Sequence, residues 1–225
     1  EMCIRDRIEG QPLNAIFGFE TLGICDNQEL YDKYAPMMQK YNPKWGMGDI
    51  IIKDRTGEGV INDEDRTVIG NSIPRFTFGL NLGFEYKGFD FSCFFQGVGK
   101  ADGYVTMEAI QPMGINGARK EHYKESFNPQ DPKPGAYFPR ILSSDYNYAY
   151  MSHWVQDASY IRLKNLQIGY SFKIKGLNQL RVYASGENLF TATKYRTWDP
   201  ETPVGARGFY PNVAVYSMGA VSYTH

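Results

Sequence analysis

The clearest pattern along the chain is an alternation of apolar residues with small or polar residues that begins at Phe76. The apolar positions are Phe76, Phe78, Leu80, Leu82, Phe84 and Tyr86, and the intervening positions are Thr77, Gly79, Asn81, Gly83 and Glu85. A period of two predicts a β-strand with one apolar face. After Lys87-Gly88 the alternation resumes over Phe89–Phe95, interrupted by an apolar Phe94, which predicts a hairpin with a very short turn.

A second alternating segment lies further along the chain. Its apolar positions are Leu166, Ile168, Tyr170 and Phe172, and its intervening positions are Asn165, Gln167, Gly169 and Ser171. Ile161 and Leu163 have the opposite parity, so we expect a β-bulge near Lys164. A short turn containing Gly176 then leads to a returning strand over Leu180–Phe190.

The two ends of the chain carry weaker strand signals. A last strand is predicted to begin near Val213 and to be cut off after Gly219. The first seventy residues are expected to be mostly loop, with one strand near Leu13 to Ile24.

Short turns and long connections alternate between the strands. The turns at Lys87 and Gly176 are short, whereas residues 100–158 and 191–212 form long connections rich in Gly, Pro, Asn, Asp and Tyr. Such long connections are unusual in a compact domain, but outer-membrane barrels alternate short periplasmic turns with long external loops. The pattern favours an all-β fold in which antiparallel strands form part of a transmembrane β-barrel with long extracellular loops.

Composition supports a β-rich protein and excludes some partners. The chain has 17 Tyr, 14 Phe and 23 Gly, a bias that favours strands and turns over helices. Its 24 Lys and Arg are balanced by 25 Asp and Glu, so no basic field exists to attract nucleic acid. There is no apolar run of about 18 residues, which argues against a transmembrane helix but not against transmembrane strands.

Both termini resemble foreign sequence. Residues 1–7 resemble a translation of the transposase end sequence used in sequencing libraries, and Val221–His225 resembles its reverse complement. We therefore expect residues 1–7 and 220–225 to be adapter translation, residues 8–219 to be the protein itself, and the gene to continue beyond both ends. The cysteines, odd in number and without metal-ligand spacing, do not predict a disulfide framework.

The segment Asp54–Asp65 matches the pattern of an EF-hand calcium loop, with Gly59 at the sharp turn. The candidate calcium ligands are Asp54, Thr56, Glu58, Asn62 and Asp65 through their side chains and Val60 through its carbonyl group. Three of these depart from the usual pattern, because Thr56 replaces Asp or Asn, Glu58 is longer than Asp, and Asp65 is shorter than Glu. A structural calcium ion and an acidic turn without an ion both remain open.

Nothing else in the sequence predicts chemistry. No phosphate-binding loop, nucleophile elbow or zinc-protease helix is present, so no catalytic residue, no required cofactor and no enzyme activity are expected. His122 and His153 are isolated and are interpreted as ordinary loop residues. Aromatic residues of the long connection could stack on sugars, line a peptide-binding surface, or pack within the loop: Tyr137, Phe138, Tyr146, Tyr148, Tyr150 and Trp154.

Several segments, taken together and in order, resemble the C-terminal region of SusC/RagA-like TonB-dependent receptors. They are Gly48–Asn71, Pro74–Asn81, Lys87–Gly97, Asp157–Leu166, Ala184–Thr191 and Asp199–Glu201. The resemblance covers nearly all of Ile8 to Gly219.

This resemblance implies a plugged barrel of about 22 strands, of which the chain would supply the last five or six. It further implies an outer-membrane importer that takes up oligosaccharides or peptides with a SusD-like surface lipoprotein as its lid. Energy would come from TonB through an N-terminal plug region that this chain does not contain. The rival interpretation is a secreted, soluble β-sandwich carbohydrate-binding module with a calcium loop. A third, a secreted glycosidase fragment, would need two convergent carboxylates.

The barrel interpretation assigns each strand face to one environment. Residues predicted to face outer-membrane lipid are Phe76, Phe78, Leu80, Leu82, Phe84, Leu166, Ile168 and Phe172. Residues predicted to face the lumen and the plug are Thr77, Asn81, Glu85, Asn165 and Gln167. The alternation of faces along strands of this kind is the physical basis of the assignment.

Overall fold

The computed structural model describes residues 9–105, 110–112, 119–132, 134–141, 146–174, 177–201, 210 and 212–223. These residues divide into two compact units. The loop unit contains the described residues of 1–73 and 102–156, and the sheet unit contains those of 74–101 and 157–201 and from 210 onward. Residues 1–7 and the predicted turn at Gly176 lie outside the described residues, as do Thr224 and His225.

Strands dominate the described chain. In chain order they are β1 (Ala15–Phe19), β2 (Thr21–Ile24), β3 (Ile50–Ile52), β4 (Arg66–Asn71), β5 (Phe76–Tyr86), β6 (Phe89–Gly99), β7 (Asp102–Tyr104), β8 (Val155–Asp157), β9 (Tyr160–Ile174), β10 (Leu177–Thr193) and β11 (Val215–Tyr223). The helices are α1 (Gln28–Tyr41) and α2 (Lys120–Glu125), with 3₁₀ turns at Asp63–Asp65, Tyr146–Tyr148 and Ser152–Trp154. None of the helices in the described ranges is long and apolar enough to span a membrane.

The sheet unit is built on one five-stranded sheet in the order β11-β10-β9-β6-β5, in which all neighbouring strands are antiparallel. The β5–β6 hairpin runs without a register shift from Phe76 opposite Gly99 to Tyr86 opposite Phe89. Its two turn residues, Lys87 and Gly88, have φ angles of 49° and 86°. Positive φ at both positions is the requirement of a type I′ turn, so the predicted tight hairpin is confirmed.

The bulge predicted near Lys164 is also confirmed. On one side Phe94 and Phe95 pair with Asn165 and Leu163, which leaves Lys164 unpaired. The register between β9 and β10 shifts at the same place. The bulge restores the apolar residues of β9 to one face of the sheet along the whole strand.

Strand β11 differs from its prediction. It pairs with β10 as far as Tyr223 opposite Gln179, so it does not end after Gly219. The strand therefore runs through Ala220–Tyr223, which we expect to be foreign sequence. The prediction stops at Gly219 because residues 220–225 are expected to be foreign, whereas backbone pairing with β10 requires no particular side chain. The expected foreign origin of these residues stays a prediction.

The loop unit contains more regular structure than predicted. Strand β1 pairs with β4, β2 with β3, and β7 with β8. The single strand expected near Leu13 to Ile24 is two strands, and helix α1 was not predicted. Asn27 begins this helix by accepting a hydrogen bond from the backbone N–H of Leu30 at 2.9 Å, a local signal present in the sequence.

Candidate functional site

The sheet of the sheet unit has one apolar face and one polar face. Residues directly opposite each other on antiparallel strands point to the same side, so the register decides which residues share a face. Leu82, Cys93 and Leu166 are mutually opposite, as are Phe84, Phe91 and Ile168. The residues predicted to face lipid therefore share one side of the sheet.

Side chains of the apolar face are exposed to solvent even on strands that have neighbouring strands on both sides. Ile168 and Phe172 on β9 are 42% and 44% exposed, and Val182 on β10 is 44% exposed. Pairing within the sheet does not cover these side chains, because the exposed area lies above the sheet plane. A contiguous apolar surface of this kind marks a face that contacts protein or lipid rather than water.

Aromatic rings gather on this face near the Lys87-Gly88 turn. Phe84 stacks on Phe91 with ring centroids 5.2 Å apart, and Tyr170 lies edge-to-face against Phe172 at 4.7 Å. Transmembrane barrels carry aromatic girdles where the apolar band meets the lipid headgroups. The end of the sheet with the short turn has the composition of such a girdle.

The opposite face holds the residues predicted to face the lumen. Asn81, Phe94 and Asn165 are mutually opposite, and Gly83, Ser92 and Gln167 form the next row. Thr77 and Glu85 share this face with Asn81 because they alternate with the apolar residues of β5. Small and polar residues therefore predominate on this face from β5 to β9, with Phe94 and Val98 as apolar exceptions on β6.

An ion pair crosses strand β9 on the polar face. Nε of Arg181 on β10 lies 2.9 Å from Oδ1 of Asp90 on β6. Gly169 lies between them on β9 and has no side chain to obstruct the contact. A Cβ atom there would lie 2.5 Å from Asp90 Oδ1. The pair links two strands that are not hydrogen-bonded to each other.

A second charged cluster lies at the other end of the polar face. Arg162 on β9 donates from Nη2 to both carboxylate oxygens of Asp199, at 2.9 and 2.8 Å, and from Nε to Thr191 Oγ1 at 2.7 Å. Lys164, the unpaired bulge residue, donates from Nζ to Glu201 at 2.8 Å. The cluster balances two cations with two carboxylates, and the sequence offered no signal for it because its partners lie on separate segments.

In the loop unit, the EF-hand-like segment closes around Asp65. The buried carboxylate of Asp65 accepts hydrogen bonds from the backbone N–H groups of Arg55, Thr56 and Asn62 at 2.9 to 3.0 Å. Burial acts to raise the pKa of Asp65, but the hydrogen bonds from Asn62, Thr56 and Arg55 outweigh it and hold that pKa below its usual value. Asp65 therefore stabilises the turn as a carboxylate.

The other candidate calcium ligands occupy different surroundings. Asp54 accepts hydrogen bonds from the N–H groups of Gly57 and Gly59 at 2.6 and 2.7 Å, and the side chain of Asn62 accepts one from Glu64 N–H. Thr56, Glu58 and Val60 are exposed. Among the described residues, no three His, Cys, Asp or Glu side chains are grouped so that they could hold a metal ion. The carboxylates at the two ends of the loop are engaged with its backbone, and the calcium site stays a prediction.

Asp49, Arg140 and Asn147 form a buried cluster of hydrogen bonds in the loop unit that the sequence did not predict. The carboxylate of Asp49 is contacted by Arg140 Nε at 2.8 Å, by Arg140 Nη2 at 2.7 Å and by Asn147 Nδ2 at 2.9 Å. These hydrogen bonds to Asp49 raise the pKa of Arg140. Asn147 also accepts a hydrogen bond from Ile50 N–H at 3.0 Å. Segments distant in sequence are thus joined by polar groups that satisfy one another.

The aromatic residues of the long connection are mainly packed together. Trp154, Phe138 and Tyr148 are buried, and the indole N–H of Trp154 donates to the carbonyl oxygen of Asn147 at 2.7 Å. Tyr150 alone among the six residues is largely exposed, at 58%. Packing within the loop therefore describes these side chains better than an open binding surface does.

Both isolated histidines belong to the same packed region. The His122 ring is buried and meets Phe138 edge-on at 4.6 Å. His153 lies 2.7 Å from the carbonyl oxygen of Tyr137, and burial lowers the pKa of its imidazole. Both are packing residues of the loop unit.

No family model matches the chain. Individual curated proteins do match: TonB-dependent receptor P3 of Formosa agariphila is 32% identical over 94% of this chain and 22% of its own length. TonB-dependent receptor P39 of the same organism is 34% identical over 89% of the chain. TonB-dependent receptor SusC of Bacteroides thetaiotaomicron is 27% identical over 75% of the chain and 17% of its own length.

Solved structures show a similar fold. A structure of the RagAB peptide transporter superimposes with a TM-score of 0.67 at 21% identity, covering 91% of this chain and 22% of that one. The RagAB peptide importer in its open-open state gives a TM-score of 0.65. The chain thus spans about a fifth of the length of the proteins it matches, 22% of both the first receptor and the first structure. The fold is that of part of an antiparallel β-barrel.

Proposed function

Given that the chain belongs to the SusC/RagA-like TonB-dependent receptors, we propose that it forms part of the barrel wall of an outer-membrane nutrient importer. The apolar face of the sheet unit carries this proposal. The side chains of Ile168, Phe172 and Val182 are exposed although their strands have neighbours on both sides, so the face needs an apolar environment that the described part of this unit does not supply. Outer-membrane lipid supplies it around a barrel.

The polar face completes the wall. Asn81, Asn165 and Gln167 lie on the side opposite the apolar residues, as barrel strands require when they separate lipid from an aqueous or plugged lumen. The ion pair between Arg181 and Asp90 also lies on this side, where polar surroundings tolerate charge. Charged groups would be strongly destabilising on the lipid side.

The rival interpretation, a secreted β-sandwich, explains the faces less well. A sandwich needs a second sheet packed over the apolar face. The described part of the sheet unit contains the five-stranded sheet and no other. A glycosidase interpretation would need paired carboxylates facing a common cleft, whereas the carboxylates of Asp90, Asp199 and Glu201 are engaged with Arg181, Arg162 and Lys164.

For the complete protein we propose uptake of oligosaccharides or peptides, with a SusD-like lipoprotein as partner and TonB as the source of energy. The support is the family itself, together with the similarity to the RagAB peptide transporter. Transport rather than catalysis fits the names of these relatives, which are those of receptors and a transporter. The proposal places the protein in the outer membrane.

The test uses the full-length protein encoded by the complete gene, carrying an epitope tag after Gly135, an exposed position in the long connection. Intact cells should bind antibody to the tag, and the protein should fractionate with the outer membrane. As a matched control, a Lys87→Cys variant should react with a membrane-impermeant maleimide only after the outer membrane is permeabilised. Release of the protein in soluble form, or labelling of both sites on intact cells, would overturn the proposal.

A further inference from the structure

Burial on the polar face of the sheet is uneven. Asn81 and Glu85 on β5 are exposed, as expected for a face whose covering is supplied elsewhere. Arg162, on the same face of β9, is only 2% exposed. A buried guanidinium needs compensating anions and hydrogen-bond acceptors. The chain itself supplies both.

The cover over Arg162 is the segment that follows strand β10. The strand ends at Thr193, whose hydroxyl donates to the carbonyl oxygen of Ser159 at 3.0 Å and accepts from the N–H of Tyr195 at 3.1 Å. Tyr195 is buried, and the chain turns back instead of continuing in the direction of the strand. By Asp199 it has reached the guanidinium group of Arg162.

The returning segment is fixed at two points. Both carboxylate oxygens of Asp199 accept from Arg162 Nη2, and Oδ1 also accepts from the N–H of Glu201 at 3.0 Å. Glu201 is held by Lys164, which the β-bulge leaves outside the backbone pairing. Asn212, on the arm that returns toward β11, donates its N–H to Asp199 at 3.3 Å. Both arms of the connection therefore converge on Asp199.

We propose that residues 195–201 form an inward-folded strap that narrows the lumen beside strand β9, and that Arg162 and Lys164 are the positioning residues that hold it. The assignment of the polar face to the lumen rests on the proposed function. A strap fastened by three ion pairs, from Arg162 to Asp199 and Glu201 and from Lys164 to Glu201, occupies space on the cargo side of the wall. Releasing Arg162 leaves two carboxylates facing one lysine, which drives the strap away from the strand.

The experiment measures strap release in the full-length protein in the outer membrane. A Pro200→Cys substitution, between the two anchoring carboxylates, reports exposure through the rate at which its thiol reacts with a hydrophilic maleimide. Arg162→Gln and Asp199→Asn should each accelerate labelling at position 200 about tenfold or more, since breaking a buried ion pair is strongly destabilising. Glu85→Gln removes an exposed carboxylate from the same face and should leave the rate unchanged.

A second readout guards against variants that fold poorly. Barrel folding is checked by the heat-dependent shift in electrophoretic mobility, and Lys164→Met, which removes only the outer cation, should raise the labelling rate less than Arg162→Gln does. Unchanged labelling at position 200 in folded Arg162→Gln protein would overturn the strap. The labelling rate does not depend on import, so failure of the wild-type protein to take up cargo would count against the proposed function alone.

Discussion

Arg181 on β10 and Asp90 on β6 meet above Gly169, on the strand that separates them, with Arg181 Nε 2.9 Å from Asp90 Oδ1. A Cβ atom at position 169 would lie 2.5 Å from Asp90 Oδ1 and 2.8 Å from Arg181 Nη2. The glycine is thus a condition for the ion pair, which joins two strands without backbone hydrogen bonds between them.

We predict that Gly169→Ala destabilises the barrel by about 1–3 kcal/mol, the usual range for overpacking, because the new methyl group displaces the ion pair. The denaturant midpoint of the refolded full-length protein measures the loss. Gly83→Ala is the control, since its Cβ atom would meet its nearest neighbour, the carbonyl oxygen of Phe91, at an ordinary 3.4 Å. Equal midpoints for the two variants would show that Gly169 has no such role.

The assignment of faces predicts opposite tolerance to charge at adjacent positions of β5. Leu80→Lys should cost about 2–4 kcal/mol if the residue lies near the middle of the lipid face, whereas Asn81→Lys points to the lumen and should cost far less. The amount of folded full-length protein in the outer membrane is the measurement. Comparable losses for both substitutions would contradict the assignment.

The buried cluster around Asp49 predicts a large loss of stability in the loop unit when Arg140 is replaced. Arg140→Ala removes both of its hydrogen bonds to a buried carboxylate and should destabilise the unit by about 3–5 kcal/mol. Lys53→Ala breaks the exposed Lys53–Glu20 pair, of similar 2.8 Å length, and should cost about 0–1 kcal/mol. The measurement is the protection of loop-unit amides from hydrogen exchange, which should fall much more in Arg140→Ala than in Lys53→Ala. Similar protection in both variants would show that Arg140 does not stabilise the unit through Asp49.

The predicted calcium loop can be separated from a plain acidic turn. If calcium binds, titration calorimetry on the full-length protein should show saturable heat that Glu58→Gln weakens, since Glu58 is exposed and supports no described hydrogen bond within the turn. Asp65→Asn should lower the thermal midpoint even in the presence of a chelator, because its carboxylate accepts three backbone N–H groups. No saturable heat in the wild type would leave only the acidic turn.

Local pattern was enough to predict part of this structure. The hairpin at Lys87-Gly88 and the bulge at Lys164 followed from the parity of apolar residues, because each strand face has one environment. The ion pairs of Arg162 and Arg140 did not follow, since their partners are brought near only by the tertiary fold.

The missed elements have a similar cause. Helix α1 contains Pro36, a residue that argues against a helix when only the sequence is read, although its Asn27 cap is plain. Strand β11 extends beyond Gly219, where the expected foreign sequence begins, because backbone pairing with β10 does not depend on which side chains follow. The candidate calcium loop was located from sequence, but its inward-facing hydrogen bonds were visible only in the structure.

The two-residue turn at Lys87-Gly88 also bears on the order in which the wall assembles. Strands β5 and β6 can pair across this turn with little loss of chain entropy. Strand β6 can pair with β9 only after the long segment between Gly99 and Tyr160 has closed into a loop, which costs more entropy. We therefore expect the β5–β6 hairpin to be an early local nucleus onto which β9 docks late. Pulse-labelling hydrogen exchange during refolding should find β5 and β6 amides protected before those of β9, and simultaneous protection would exclude this order.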